Sequence, residues 1–555
     1  MHKESIINFI KEHKEALSVT GLLFICYFLY FFSMGHYPLI DVDETRYVTM
    51  SRELMNAKDM MTLYLNGDYF FEKPPLYFWT EIMSFSFFKE VNEITARIPV
   101  ALTAVFGVFI TYFLGRKISS KKYGMISALI LATSFEYIVL ARVAILDMLL
   151  SVFIAASVFS GIYTLFCTDT YKKYFWWLAY ICAGFGLMAK GIPGVAIPAI
   201  TILVSYIIAK KWKEIFNPIY IIPGLAFFVL VSFPWHMIMI HRHGQEFIHE
   251  YILKHHFARF LNSNELGRKQ PLLYFVPVFF LGFMPWIFSF IAQIIVYIKK
   301  SFKNTKLYFA KFNDLQPLNK FILINTVFFA VTFIFYSLSS TKLPTYILPA
   351  MFPAALILGK FWFDYICKDE NERAINISTL VLNFCFLITG FVLLISAGFV
   401  QLPDRAGIQA MQLPGFIIIV LTVLTLCLTI FKDKKLWHFL TIVSFMSVLS
   451  IFAARMIFPY VTSFGQNELI TYARLAVEDQ AKIVSAGFGK RYSILFYGNG
   501  KAEFRETINF DKQLPKNTYV IIRNKDLKEL EKSYKYERIK KGKKYSLYKN
   551  IQPIQ

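Results

Sequence analysis

The sequence is short of charge. Only 17% of its 555 residues are Asp, Glu, Lys or Arg, against 56% hydrophobic and 18% aromatic residues. A water-facing surface needs more charge than that, so a soluble globular chain is excluded in favour of a membrane protein. Acids are the scarcer sign, with 37 Asp and Glu against 59 Lys and Arg and a formal net charge of +22. The basic excess is scattered between apolar runs. That pattern excludes a nucleic-acid partner and fits contact with anionic lipid. Cysteine is scarce too: Cys26, Cys167, Cys182, Cys367, Cys385 and Cys427 show no CxxC spacing. None falls in the loops placed below on the non-cytoplasmic side, so neither a disulfide framework nor a thiolate metal site is expected. The first apolar run lacks a small-residue cleavage site, and we keep it as a membrane anchor.

What the chain has instead is long apolar runs. Windows at 18–34, 97–115, 124–142, 148–166, 174–189, 194–209, 218–239, 272–298, 321–338, 346–364, 376–399, 415–431 and 437–458 read as about thirteen transmembrane helices. Every second loop is short and basic: "RKISSKKY" (116–123), "TYKK" (170–173), "KKWK" (210–213), "KKSFKNTK" (299–306), "CKDENER" (367–373) and "FKDKK" (431–435). The positive-inside rule makes these loops and the N-terminus cytoplasmic. An odd number of spans then puts the tail on the opposite, periplasmic side. This gives a transmembrane domain over 1–458 and a small α/β soluble domain over 459–555, where helical and strand patterns alternate.

The chemically rich loops all fall on the side away from the basic loops, which suggests a site at an outer surface. A transporter would place ionisable residues at mid-membrane within broken, repeated spans. "DVDET" supplies Asp41, Asp43 and Glu44, with Arg46 following at helical spacing; a carboxylate there suits a base, a metal ligand or a partner for a cation. In "FEKPP" the proline pair stiffens the backbone and holds Glu72 and Lys73 on a rigid turn. Lys73 then suits a phosphate or, alternatively, an interfacial anchor. Six of the ten histidines lie between His236 and His256, without a firm metal-ligand spacing. "STKLPTYILP" brings Lys342 and Tyr346 to a span entrance, with Lys190, Arg142 and Asp147 at other outer span ends. Cations converging with carboxylates fit a phosphate-bearing amphiphile.

At "DETRY", "NGDYFFEKPPLYFW", "HFARF", "KLPTYILP" and "GKRYSILFYGNG" the chain resembles the lipid A aminoarabinose (4-amino-4-deoxy-L-arabinose) transferases. Those are polytopic lipid-phosphate-sugar glycosyltransferases of the GT-C type, related to protein O-mannosyltransferases. The resemblance implies thirteen helices, an outward-facing cavity and an inner-membrane enzyme. Its donor would be a sugar on undecaprenyl phosphate and its acceptor lipid A or lipopolysaccharide. It implies Asp43, Asp147 and Lys73 as catalytic residues, and Arg46, Tyr47, Arg259 and Tyr346 as substrate-binding ones, which Lys342 joins from its place at the span entrance. Glu72 and His256 would hold a divalent metal, zinc or magnesium. His255 stands where family members usually carry an acid, which leaves both histidines as candidate ligands. Two further readings stay open: the same class of enzyme acting on protein Ser/Thr or another glycan, and a membrane transporter.

Overall fold

The described residues of the thirteen apolar windows fall mostly on helix in the computed structural model, with breaks inside 124–142 and 272–298. The model describes residues 14–57, 59–258, 270–303, 312–399, 405–429, 435–463, 465–500, 502–506, 514–527 and 536–550. Among these, six helices are long and apolar enough to cross a membrane: Glu93–Ile118, Pro218–Lys254, Pro317–Leu338, Pro344–Lys368, Glu372–Ile395 and Lys435–Thr462. A seventh is added if Leu272–Gly282 and Ile287–Lys300, which meet at 114°, form one span. The apolar helices Glu15–Phe31, Asp147–Tyr163, Pro193–Ile208 and Gln412–Cys427 are shorter.

Window 124–142 is broken between Lys121–Ala132 and Phe135–Leu140. The break is buried in protein, where freed backbone groups must find partners. The Thr133 and Ser134 hydroxyls donate back to the Leu129 and Ile130 carbonyls at 2.6 and 2.7 Å. The Phe135 N–H donates across to the Met284 carbonyl at 3.0 Å. Pro344–Lys368 is the central span, 83% buried, whereas Pro218–Lys254 is only 17% buried and turns its apolar side chains outward.

Two buried arginines shape the exit from the first helix. Arg142 donates to the Leu29 and Phe32 carbonyls at 2.8 and 2.6 Å. Arg97 donates to the Met34, Tyr37 and Pro38 carbonyls at 2.5, 3.0 and 2.9 Å. Both are fully buried, and their donors satisfy carbonyls that leave the helical ladder there.

A two-residue hairpin follows the helix Asp43–Ala57. Strands β1 (Tyr64–Leu65) and β2 (Asp68–Tyr69) pair antiparallel. The Asn66-Gly67 turn between them has φ of +59° and +85°, conformations that Asn and Gly adopt most readily. The Glu53 carboxylate accepts from both turn N–H groups at 3.0 and 3.3 Å. That bond delivers the chain rigidly into Glu72-Lys73-Pro74-Pro75, ahead of the helix Leu76–Phe88.

Near the C-terminus, β3 (Lys482–Ala486), β4 (Ala502–Arg505), β5 (Thr518–Arg523), β6 (Tyr536–Lys541) and β7 (Tyr545–Asn550) form one sheet in the order β4-β3-β5-β7-β6. β3 runs parallel to β4 and β5, and β7 is antiparallel to β5 and β6. Helix Asn467–Glu478 buries Leu469, Tyr472, Ala473 and Ala476 against this sheet. The sequence reads β3, β5 and β7 as strands but not β4 or β6. β6 is a mostly exposed edge strand, "YERIKK", and lacks the alternation that a half-buried strand shows.

Candidate active site

The helix Asp43–Ala57 begins at the first outer-loop acid, and its geometry sorts the acidic cluster. Residues three and four apart share a helix face, so Asp43, Arg46 and Tyr47 line up while Glu44 points elsewhere. Asp43 accepts from Arg46 Nη2 at 2.9 Å, and its side chain is 60% exposed. Arg46 also donates to the Tyr47 hydroxyl at 3.1 Å and sits 4.9 Å from that ring's centre.

Glu44 is fully buried instead. It accepts from Arg97 Nε and Nη2, both at 2.9 Å, and from the Ile40 and Ala144 N–H groups at 2.7 and 2.6 Å. It pins the loop to its neighbours and does not line the cavity that Asp43 reaches. Asp41 lies in a junction with the C-terminal segment, accepting from the Thr45 hydroxyl at 2.8 Å and from Ser493 N–H and Oγ, both at 3.1 Å. Burial pushes its carboxyl above the ordinary range, opposed by the bonds from Thr45 and Ser493. Of the three acids in "DVDET", only Asp43 opens onto the cavity.

That cavity has a volume of about 330 Å³. Asp43, Arg46 and Tyr47 form one wall; Glu72 and Lys73 come from the proline-stiffened turn; Ile145, Asp147 and Lys190 come from two helix ends; and Thr341, Leu343, Pro344, Thr345 and Tyr346 close it. Three carboxylates thus face three cations. Asp147 is the first residue of its helix and Lys190 the last of the helix Asp169–Lys190, each at the terminus where its charge is favoured. The two form a salt bridge, with side chains 9% and 13% exposed. Lys190 Nζ also lies 4.5 Å from the centre of the Tyr346 ring, a cation–π contact. Lys73 is buried and donates to the Glu72 carbonyl at 3.2 Å. Arg46 Nε is buried with no hydrogen-bond partner among the described residues. A buried guanidinium N–H left open beside a cavity suits an anionic ligand.

The structure brings seven of the ten sequence-expected site residues to this cavity: Asp43, Arg46, Tyr47, Glu72, Lys73, Asp147 and Tyr346. Lys342 does not line it. Its ammonium donates to the Ser339 and Gln270 carbonyls at 2.7 and 3.3 Å, between flanking residues that do. Arg142 is likewise turned inward, to the carbonyls of the first helix. Arg259 and the His255 and His256 side chains lie outside the described residues.

Two of the other four histidines of the rich segment, His236 and His243, take packing partners, and His249 lies exposed 3.7 Å from Glu250. His236 contacts the Ser232 carbonyl at 2.7 Å and the Tyr251 hydroxyl at 3.2 Å, and His243 contacts the Thr62 hydroxyl at 3.1 Å. Among the described residues, no three His, Cys, Asp or Glu side chains gather as a metal cage. The cavity carboxylates are hard oxygen donors of the kind magnesium takes, and a histidine beside Glu72 would shift the preference toward zinc. Sequence reasoning named Lys190 as an outer cation without placing it in the site, and it missed Ile145, Thr341 and Thr345. Lys190 ends its helix at Gly191, whose φ of +105° marks a C-cap legible in "AKG".

A profile of the dolichyl-phosphate-mannose-protein mannosyltransferase family matches residues 16–264, the stretch that holds most of this cavity. The undecaprenyl phosphate-alpha-4-amino-4-deoxy-L-arabinose arabinosyl transferase of Photorhabdus laumondii is 27% identical over 391 residues, 69% of this chain and 66% of that protein. Its Yersinia enterocolitica counterpart is 28% identical over 363 residues, covering 64% and 61%. The crystal structure of ArnT from Cupriavidus metallidurans bound to undecaprenyl phosphate superposes with a TM-score of 0.80 at 16% identity, over 96% of this chain and 98% of that one. The chain is thus similar in sequence to the aminoarabinose transferases and, over residues 16–264, to the protein mannosyltransferases. The alignments span slightly less than two thirds of these two curated relatives' lengths. The structural likeness establishes a shared, mostly helical membrane fold.

Proposed function

We propose that the chain is a glycosyltransferase. It would move a sugar, aminoarabinose or a similar amino sugar, from undecaprenyl phosphate to a phosphate of lipid A. The observation that carries this reading is the cavity itself, where three acids and three cations meet beside an unpartnered Arg46 N–H. A polyprenyl phosphate bearing an amino sugar has both charges, and a wall of balanced charge suits it better than a neutral solute. Undecaprenyl phosphate is the ligand named for the Cupriavidus structure, and the two relatives are named for aminoarabinose transfer.

In the reaction an oxygen of the acceptor phosphate attacks the anomeric carbon. The bond from that carbon to the donor phosphate breaks, and its electron pair leaves on undecaprenyl phosphate. The acceptor phosphate is already ionised, so the residues' main work is to bring two anions together and steady the leaving one. Lys73, Arg46 and Lys190 suit that work, joined by Arg259. Asp43 and Asp147 would orient the sugar and its amine, with Tyr47 and Tyr346 as walls. Glu72 and His256 would hold a divalent cation, whose contribution is charge neutralisation at phosphate.

The thirteen apolar helical segments would all cross the inner membrane, with the N-terminus cytoplasmic. The cavity and a separate α/β domain over 459–555 would then face the periplasm. The alternating basic loops support this arrangement. Binding of undecaprenyl phosphate by the purified protein tests the site. Lys73→Ala should weaken it about tenfold, the scale of one charged contact to phosphate. Unchanged affinity would remove Lys73 and the cavity from phosphate recognition.

A further inference from the structure

The C-terminal segment reaches the cavity's supporting loop through side chains that the proposed chemistry leaves unused. Short helix Tyr492–Tyr497 lies against the helix Asp43–Ala57, with Arg52 donating to the Phe496 and Leu495 carbonyls at 3.0 and 3.2 Å. Phe496 is buried with Leu39, Val48 and Ala144, two of which flank cavity-lining residues closely in sequence.

The loop Leu39–Asp41, just ahead of Asp43, has its polar groups bound from this side. Leu39 N–H donates to the Tyr497 hydroxyl at 3.0 Å, and that hydroxyl donates on to Glu93 at 2.7 Å. Gln466 grips both ends of the loop. Its amide donates to the Leu39 carbonyl at 3.0 Å, and its oxygen accepts from the Asp41 N–H at 2.9 Å. Ser493 donates twice to the Asp41 carboxylate, both at 3.1 Å. The start of the helix Asp43–Ala57 is held locally, by the Ile40 N–H on Glu44 and the Thr45 hydroxyl on Asp41, and in addition by groups more than 400 residues away.

We propose that Ser493, Tyr497 and Gln466 are positioning residues: the C-terminal segment clamps the loop ahead of Asp43 and so sets the direction of Asp43 and Arg46 into the cavity. This deepens the transferase reading and rests on it for its kinetic test. An enzyme that must hold two anions in line loses rate when a carboxylate and a guanidinium are slightly misaimed, while ground-state binding through Lys73 and Lys190 persists.

The full-length protein in detergent would be assayed with undecaprenyl phosphate-aminoarabinose and lipid A. Ser493→Ala/Tyr497→Phe should lower kcat about tenfold with KM for the donor and Kd for undecaprenyl phosphate within twofold of wild type. Ser493→Thr, which keeps the hydroxyl, should retain most of the rate. If the double variant does not purify monodisperse, Tyr497→Phe alone should show about a threefold loss of kcat. Amide hydrogen exchange over residues 43–49 supplies a readout that needs no substrate, and it should quicken about tenfold in the variants. Unchanged exchange and unchanged kcat would overturn the clamp. Wild-type protein without transfer, together with quickened exchange in the variants, would count against the transferase reading and leave the clamp standing.

Discussion

Two adjacent acids should fail in opposite ways. Glu44→Gln keeps the side chain's shape but replaces one oxygen by an NH2 group. Each Glu44 oxygen accepts one bond from Arg97 and one from a backbone N–H, so the amide must confront two donors wherever it turns. Arg97 would also keep its charge at a site with no exposure to solvent. Breaking one partner of a buried ion pair costs about 3–5 kcal/mol. At roughly 2 °C or less per kcal/mol for a chain this large, the apparent transition temperature should fall by about 5 °C. Asp43→Asn loses only an ion pair whose acid is mostly exposed, a change of about 0–1 kcal/mol, and should melt within about 1 °C of wild type. Its sugar transfer should fall at least about 100-fold. Melting is followed by fluorescence-detected size exclusion after heating, and transfer by mass spectrometry of the product. A Glu44→Gln protein that melts like wild type, or a fully active Asp43→Asn protein, would refute this assignment of the two carboxyls.

Other consequences follow from single contacts. Glu81 is buried between the Ser51 and Tyr77 hydroxyls, at 2.5 and 2.7 Å, and burial pushes its carboxyl up to about 8. The folded form thus holds its proton where the unfolded chain, with a value near 4.5, has lost it, so this contribution to stability falls as pH rises from about 4.5 to 8. Glu81→Gln should flatten that slope in melting scans, and an unchanged slope would exclude Glu81 as its source. Lys190→Met leaves Asp147 unpaired and should destabilise the protein. Adding Asp147→Leu should restore stability but not transfer, with a coupling of about 1–3 kcal/mol, and strict additivity would deny the pair. Calorimetric titration of zinc or magnesium should give saturable heat with wild type and not with Glu72→Gln; equal heats would detach Glu72 from any cation.

Much of this architecture is legible in the sequence because a bilayer leaves few options. Backbone groups must be paired internally, so the described residues of the apolar windows are mostly helix, with breaks only inside 124–142 and 272–298 and at window ends. The cavity was legible for a related reason: Asp43, Lys73, Asp147 and Tyr346 are polar residues in or beside the loops between apolar runs, and those loops meet at the cavity. What the sequence could not separate was direction. Asp43 and Glu44 are neighbours in the chain but about 100° apart around a helix, and only the position of Arg97 decides which is buried. Arg142 and Lys342 look like outer cations until their carbonyl partners, Leu29 and Phe32 for the one and Ser339 and Gln270 for the other, are known. Strand β6 and the helix Tyr492–Tyr497 were missed because one is an exposed edge and the other too short for periodicity.

The proposed function places sugar transfer to lipid A in this cavity. Mass spectrometry of lipid A from cells with wild-type protein, Asp43→Asn or no protein tests it most directly. An added mass of one amino sugar on a lipid A phosphate should appear with wild-type protein alone. Identical lipid A in all three strains would contradict it and turn attention to a protein or glycan acceptor.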